Sequence, residues 1–227
     1  ESVVGGERFG RFSFIGLPAK TIIKTVGTPS APVNEVITDG KLVESNTDNP
    51  LDFVDAYFKR FKVALPPGLP RFCGGLAGYF GYDTVRYIES RLAKHSLPDE
   101  LGVPDIQLML TEELAVIDNV AGKIYLIAYA DPTKADSFDI TQARLKEILA
   151  CLSKPVSMPA SLPSTKTELV RNFKADAFEK AVLKTKEYIL AGDCMQVVIG
   201  QRISKPFSDS PLALYRALRS LNPSPYM

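Results

Sequence analysis

The sequence is poor in the residues on which compact catalytic sites commonly depend. It holds a single histidine, His95, in 227 residues, set in the polar stretch AKHSLPDE. A nucleophile–base–orienter arrangement needs two or three such groups within hydrogen-bond reach, so a histidine-dependent triad would rest on one position. Cysteine is nearly as sparse: Cys73, Cys151 and Cys194 are widely spaced and form no CxxC pair. That pattern supplies neither a disulfide framework nor a His/Cys metal site. The thiols read as small, semi-buried hydrophobes kept reduced in a cytoplasmic protein. An excess of either charge is also missing: the formal net charge is +1, which gives no electrostatic case for nucleic acid or an anionic membrane. No apolar run approaches the roughly 20 residues that cross a bilayer. The opening ESVVGGERFG has neither the basic head nor the apolar core of a signal peptide.

What is present is a chain 45% hydrophobic and 23% charged. It is long enough for one large domain or two small ones, with roughly 70% of the unfolded surface buried on folding. RFSFIG and TIIKTVG, rich in β-branched and aromatic residues, predict two strands. In EVITDGKLVES the pair Asp39-Gly40 separates two alternating runs, a strong hairpin signal. NPLDFVDAYFKRFKV places Leu51, Val54, Phe58 and Phe61 at helical spacing behind Asn49-Pro50, which predicts an amphipathic helix facing the core with those four residues. FCGGLAGYFGYDTVRYIES reads as a glycine-interrupted strand running into a short helix, and LMLTEELAVIDNVAGKIYLIAYAD as one long hairpin turning near Asp118–Gly122. TQARLKEILACLSK is a further amphipathic helix.

The Pro/Ser-rich SKPVSMPASLPSTKTE marks a linker. The predicted division is 1–153, a linker at 154–175, and a second domain beginning at 176. There Asp176 and Glu179 predict a capping box. Phe178, Ala181, Val182, Thr185 and Ile189 form the face the helix should bury, and Gly192 its C-terminal stop. MQVVIGQRIS predicts a strand. Ser210-Pro211 opens a last helix, with Asn222 placed to end it. Runs of strands joined by hairpins, with helices between, define an α+β fold with largely antiparallel sheets.

Three stretches bear on chemistry. Gly74, Gly75, Gly78 and Gly81 are too dense for an ordinary strand, where each costs up to about 1 kcal/mol. They read as bulges or close backbone approach; a phosphate cradle would want a Lys-Ser/Thr or a GxGxxG opening a helix, and neither is there. In GDCMQVVIGQR a strand's period of two puts Gln196, Val198, Gly200 and Arg202 on one face. That leaves room for a ligand beside a neutral amide, or else describes a partly solvated edge strand. At the end, NPSPYM carries two X-Pro bonds that bias Asn222 and Ser224 toward extended backbone. Tyr226 and Met227 then read as the start of a strand, so both ends read as cut through a folded region.

ESVVGGERFGRFSFIG, FCGGLAGYFGYDTVR, AGDCMQVVIGQRIS and LYRALRSLNPSPYM, in this order and spacing, resemble the large subunits of anthranilate synthase, among the chorismate-utilising enzymes. The likeness runs from Glu1 to Met227 and covers the N-terminal half to three-fifths of such a subunit. It implies two antiparallel sheets packed as a β-sandwich with helices outside. It also implies conversion of chorismate and ammonia to anthranilate and pyruvate, with Mg2+ and a glutamine amidotransferase subunit as partner. L-Tryptophan is expected as feedback inhibitor, held by Glu1, Ser2, Asn222, Pro223, Ser224, Pro225, Tyr226 and Met227; the leading Leu-Leu of the family's LLES motif is absent here. A tryptophan site wants an apolar slot and a few placed polar groups, which a carboxylate at Glu1 and the Ser2 hydroxyl would supply.

In relatives that add water to chorismate, a lysine base stands where Gln196 aligns. Glutamine fits ammonia as nucleophile, since an amide cannot act as base, and argues against isochorismate or salicylate synthesis. Gly200 departs from the expected serine. The family's Mg2+-binding glutamates and most of its chorismate contacts fall after NPSPYM, so the chain alone is expected to be inactive and to bind no metal. Open strand edges and apolar surface are expected to favour self-association or local disorder at the ends. The corresponding piece of 4-amino-4-deoxychorismate synthase, which shares GDCxQ, and a standalone tryptophan-binding module remain alternatives.

Overall fold

The computed structural model describes residues 10–94, 99–156, 167–224 and 226–227. His95, residues 157–166 of the predicted linker, Glu1, Ser2 and Pro225 lie outside the described residues. The chain divides into two units, Glu1–Pro155 with Pro223–Met227, and Val156–Asn222.

The first unit carries two antiparallel sheets. Strands β2 (Thr21–Thr28), β3 (Ala31–Thr38) and β4 (Lys41–Asn46) form a meander, and β6 (Ile106–Thr111) and β5 (Gly75–Phe80) extend it. The order is β4-β3-β2-β6-β5. The β3–β4 turn is made by Asp39 (φ 49°) and Gly40 (φ 76°), both left-handed, as a type I′ turn requires. The second sheet is β1 (Phe12–Gly16), β7 (Glu113–Asp118) and β8 (Lys123–Ala128), in the order β1-β7-β8. The predicted long hairpin is therefore three strands shared between two sheets. The chain leaves β6 in one sheet and enters β7 in the other across Glu112, whose carbonyl accepts from the Tyr129 amide at 3.2 Å.

Helix α1 (Pro50–Phe58) begins on Asn49, whose side chain accepts from the Leu51 amide, with Pro50 at the first helical position. The side it buries matches the expected one in part: Leu51 and Val54 are half-buried and pack against the core. Phe53 and Tyr57 enter the core with Ile23, Val36, Ile106 and Leu108, while Phe58 is 53% and Phe61 41% exposed. Two apolar stripes share this helix, and the sheet decides which one lies deepest. The core face also carries a polar ladder: Thr25 donates to Asn34, which donates to Asn46 and to the Asp48 carbonyl. These bonds satisfy the fully buried Asn34 and Thr25. A 3-10 helix (Tyr82–Tyr87) follows β5, and α2 (Ser137–Cys151) follows β8.

The second unit holds α3 (Ala175–Ala191), α4 (Pro211–Leu221) and the two-residue strands β9 (Val170–Arg171) and β10 (Ile203–Ser204). The predicted capping box does not form, because Lys174 is the N-cap and Asp176 already lies within the first turn. Phe173 instead packs edge-on against Phe178 with centroids 6.0 Å apart, a hydrophobic staple across the helix start. Gly192 (φ 84°) closes α3, and Ser210 caps α4 through the Leu212 amide. No described residue of this unit is fully buried. The expected inner face of α3 is only half covered: Phe178, Ala181 and Thr185 are half-buried, and Val182 and Ile189 are exposed.

Candidate functional site

Four regions bear on function, the first being the segment after α3. The Gly192 and Asp193 amides cap the helix on Ile189 and Tyr188 carbonyls. The expected strand over MQVVIGQRIS is absent except at Ile203–Ser204, which pairs with Val170–Arg171. A strand needs a neighbour to satisfy its amides, and residues 193–202 have no ladder partner among the described residues. The shared face of Gln196, Val198, Gly200 and Arg202 is therefore not established. Gln196 is exposed. Arg202 is held through its backbone, its amide donating to Asn172 Oδ1 at 2.9 Å, and Gln201 accepts from Arg171 at 3.1 Å. A Cβ at Gly200 would meet nothing within 4 Å, so packing does not demand glycine there.

The C-terminal residues follow directly. Asn222 ends α4, its amide donating to the Leu218 carbonyl at 2.9 Å. Pro223 and Ser224 are exposed, and the Ser224 hydroxyl donates to the Tyr226 carbonyl at 2.7 Å. Tyr226 is 71% exposed and Met227 half-buried. Whether Glu1, Ser2 and Pro225 join them falls outside the described residues.

The glycine-rich segment shows what its glycines are for. β5 lies so close to β6 that a Cβ at Gly78 would overlap the Gln107 carbonyl oxygen. A Cβ at Gly74 (φ 149°) would lie 2.7 Å from the Tyr129 ring, whose hydroxyl donates to the Cys73 carbonyl at 3.0 Å. Close packing of backbones and one ring, not a phosphate, explains them. A cavity of about 470 Å3 opens beside this segment, between α1 and β5, with Leu51, Val54, Phe58, Phe72 and Phe80 among its walls. From α1 it is lined by half-buried Leu51 and Val54 and by exposed Phe58.

Sequence reasoning passed over the fourth region. Asp118 ends β7 and is 1% exposed. Its carboxylate accepts from Arg11 Nε at 3.0 and 3.1 Å and from Nη2 at 2.7 Å. The Val120 and Ala121 amides add bonds at 3.2 and 3.0 Å. The Arg11 hydrogen bonds, followed by the Ala121 amide, hold this carboxyl well below the usual range, down to about 2. Arg11 also stacks on Phe12, 4.8 Å from the ring centroid. Arg11, Phe12, Asp118 and Tyr125 line a cavity of about 300 Å3 together with Gly68, Leu69, Pro70 and Arg71. The available signal was the β7 alternation, which makes Asp118 a carboxylate on a strand position facing inward.

The thiols are unpaired: Cys73 is buried, Cys194 intermediate and Cys151 exposed, so the last is not the semi-buried residue expected. Burial pushes the Cys73 thiol up. Among the described residues no group of three or more His, Cys, Asp or Glu is gathered as metal ligands would be. These residues therefore do not offer a fitted Mg2+ site. No helix among them is long and apolar enough to cross a membrane.

Two antiparallel sheets flanked by helices, with a strand-poor second unit, define the class as α+β. Residues 20–227 match the family described as chorismate binding enzyme, and the chain belongs to that family. It is 52% identical over its whole length to anthranilate synthase component 1 of Neisseria meningitidis serogroup B. It is 47% identical to the protein of that name from Pseudomonas putida. The crystal structure of anthranilate synthase component I from Streptococcus pneumoniae TIGR4 superposes with a TM-score of 0.74 at 25% identity, covering 100% of this chain and 49% of that one. The chain spans 46% of the length of the two curated relatives.

Proposed function

We propose that the chain is part of an anthranilate synthase large subunit. The parent protein would convert chorismate and ammonia to anthranilate and pyruvate in tryptophan biosynthesis, in the cytoplasm. Ammonia would come from glutamine through an amidotransferase partner subunit. The observation that carries this reading is the 52% identity sustained over the entire chain. In this reading the chorismate-utilising domain begins near residue 176, behind a linker at 154–175. Gln196 supplies a neutral amide that can donate or accept a hydrogen bond but cannot take a proton. That suits ammonia, which attacks through its own lone pair and needs no general base to generate it. In the parent protein, Mg2+ would supply charge neutralisation for the substrate's carboxylates, held by residues other than the described ones. The chain alone is proposed to be inactive, since it spans under half the length of its relatives.

L-Tryptophan, as feedback inhibitor, would be held by Glu1, Ser2, Asn222, Pro223, Ser224, Pro225, Tyr226 and Met227. The Glu1 carboxylate meets the ligand's ammonium, the Ser2 hydroxyl and nearby backbone its carboxylate, and Tyr226 and Met227 flank the indole.

The test uses the complete reading frame containing this sequence, assayed by anthranilate fluorescence with chorismate, ammonium and Mg2+. Anthranilate formation that tryptophan suppresses is expected. Formation of 4-amino-4-deoxychorismate, or of no aromatic amine, overturns the reading. The 227-residue chain contains no tryptophan, so ligand emission reports binding without background. The same assay on this chain should yield no anthranilate.

A further inference from the structure

The cavity of about 300 Å3 between β1, β7, β8 and the Gly68–Arg71 loop lies outside everything assigned above. Register explains how it is built. Phe12 pairs with Asp118 across β1 and β7, and Val116 with Tyr125 across β7 and β8. Since side chains alternate along a strand, Phe12, Phe14, Val116, Asp118 and Tyr125 share one face of the three-stranded sheet. The loop lies over that face, anchored where Phe72 meets Phe14 edge-on at 5.4 Å and where Tyr129 holds the Cys73 carbonyl.

Among the described residues, three charges line the space. Arg11 and Asp118 neutralise each other through a multiply hydrogen-bonded pair. Arg71 is different: it forms no ion pair or hydrogen bond among the described residues, and it is exposed at the rim. The Tyr125 hydroxyl, half-buried, likewise has no hydrogen-bond partner among them. Phe12, Leu69 and buried Pro70 supply apolar walls. The cavity thus combines one uncompensated guanidinium, one unused phenol and ring-lined apolar surface, at the small end of the ligand-pocket range of about 300–1,000 Å3.

We infer that this cavity binds a one-ring aromatic monocarboxylate. The carboxylate would take the fork of Arg71, whose planar guanidinium matches it bidentately, and the Tyr125 hydroxyl. The ring would lie against Phe12, Leu69 and Pro70. The described lining residues carry a net charge of +1, which favours a monoanion; a phosphate dianion would want several more donors. The site shares no described residue with the tryptophan and chorismate readings, and its failure would leave them untouched.

Benzoate is the probe, titrated into the full chain by calorimetry and by ligand-observed NMR. Saturable binding is expected, and Arg71→Ala should weaken it about tenfold or more, the loss of a charge-assisted pair. Tyr125→Phe should weaken it by a smaller factor, and Arg71→Lys should fall between, keeping charge without the fork. Arg71 is exposed, so its variants should keep the wild-type circular dichroism, and Arg91→Ala serves as a surface control. Non-saturable binding, or Arg71→Ala binding benzoate as tightly as the parent, overturns the site. Acetate binding as tightly as benzoate overturns its aromatic part.

Discussion

Replacing Phe53 by alanine should destabilise the first unit by about 3–5 kcal/mol, the usual range for a buried phenylalanine. The same change at Phe58, five residues along the same helix, should cost about 1 kcal/mol, half the value of full burial. Phe53 is 4% exposed, sits among Ile23, Val36, Ile106 and Leu108, and packs on Tyr57 with centroids 6.2 Å apart. Its removal leaves a cavity under a helix pinned at its start by Asn49 and Pro50, so little collapse can fill it. Phe58 is 53% exposed and lines an open cavity, so its truncation mostly exchanges one solvated surface for another. The chain has no tryptophan, which makes tyrosine emission, with Tyr57 in the core, the natural reporter. In thermal unfolding the two variants should separate clearly: at about 2–4 °C per kcal/mol, Phe53→Ala should lower Tm by about 6–20 °C and Phe58→Ala by about 2–4 °C. Urea titration should give lower midpoints at unchanged slope. Equal losses for the two, or a larger loss at Phe58, would refute the assignment of the buried stripe.

Two further outcomes follow from the sheets. Gly78→Ala drives a methyl into the Gln107 carbonyl oxygen and to 2.9 Å from Leu108 Cα, so it should cost about 1–3 kcal/mol of stability as overpacking does. Gly200→Ala, with open space around it, should stay within about 0.5 kcal/mol; similar effects at both positions in a denaturant series would contradict the register. Asp118 is held down to about 2 by Arg11 and the turn amides, against about 3.9 unfolded. Because the folded value is the lower one, this carboxylate contributes stability above the unfolded value that is lost as pH falls from about 4 to about 2. Arg11→Met should flatten the Tm–pH curve in that window, and an unchanged slope would refute the pairing.

Most elements were legible from local pattern. Asp39-Gly40, Asn49-Pro50, Gly192 and Ser210-Pro211 act within a few residues, so their turns and caps stand where the sequence puts them. The misreadings share a cause: they depended on contacts distant in sequence. Leu51, Val54, Phe58 and Phe61 make as regular a stripe as Phe53 and Tyr57, and only the sheet beneath puts Phe53 and Tyr57 deepest, keeps Leu51 and Val54 half-buried beside them and leaves Phe58 and Phe61 exposed. The strand expected over Met195–Ser204 has the right residues but a ladder partner for just two of them. The α3 cap rests on Phe173 meeting Phe178, where a polar signature had pointed to Asp176.

Of the candidate sites, the NPSPYM stretch and Gln196 were legible as motifs, through resemblance more than through physics. The cavity around Arg71 and Tyr125 was invisible to sequence, because its residues come from β1, a loop near residue 70, β7 and β8. By itself, then, the sequence determined the α+β class, the Asp39-Gly40 hairpin, the helix ends at Asn49, Gly192 and Ser210, and the family. The tertiary structure alone decided which apolar stripe lies deepest, where one hairpin divides between two sheets, and which charges stand together. Burial and charge pairing depend on separations of a hundred residues along the chain, as between Arg11 and Asp118, and no local period records them.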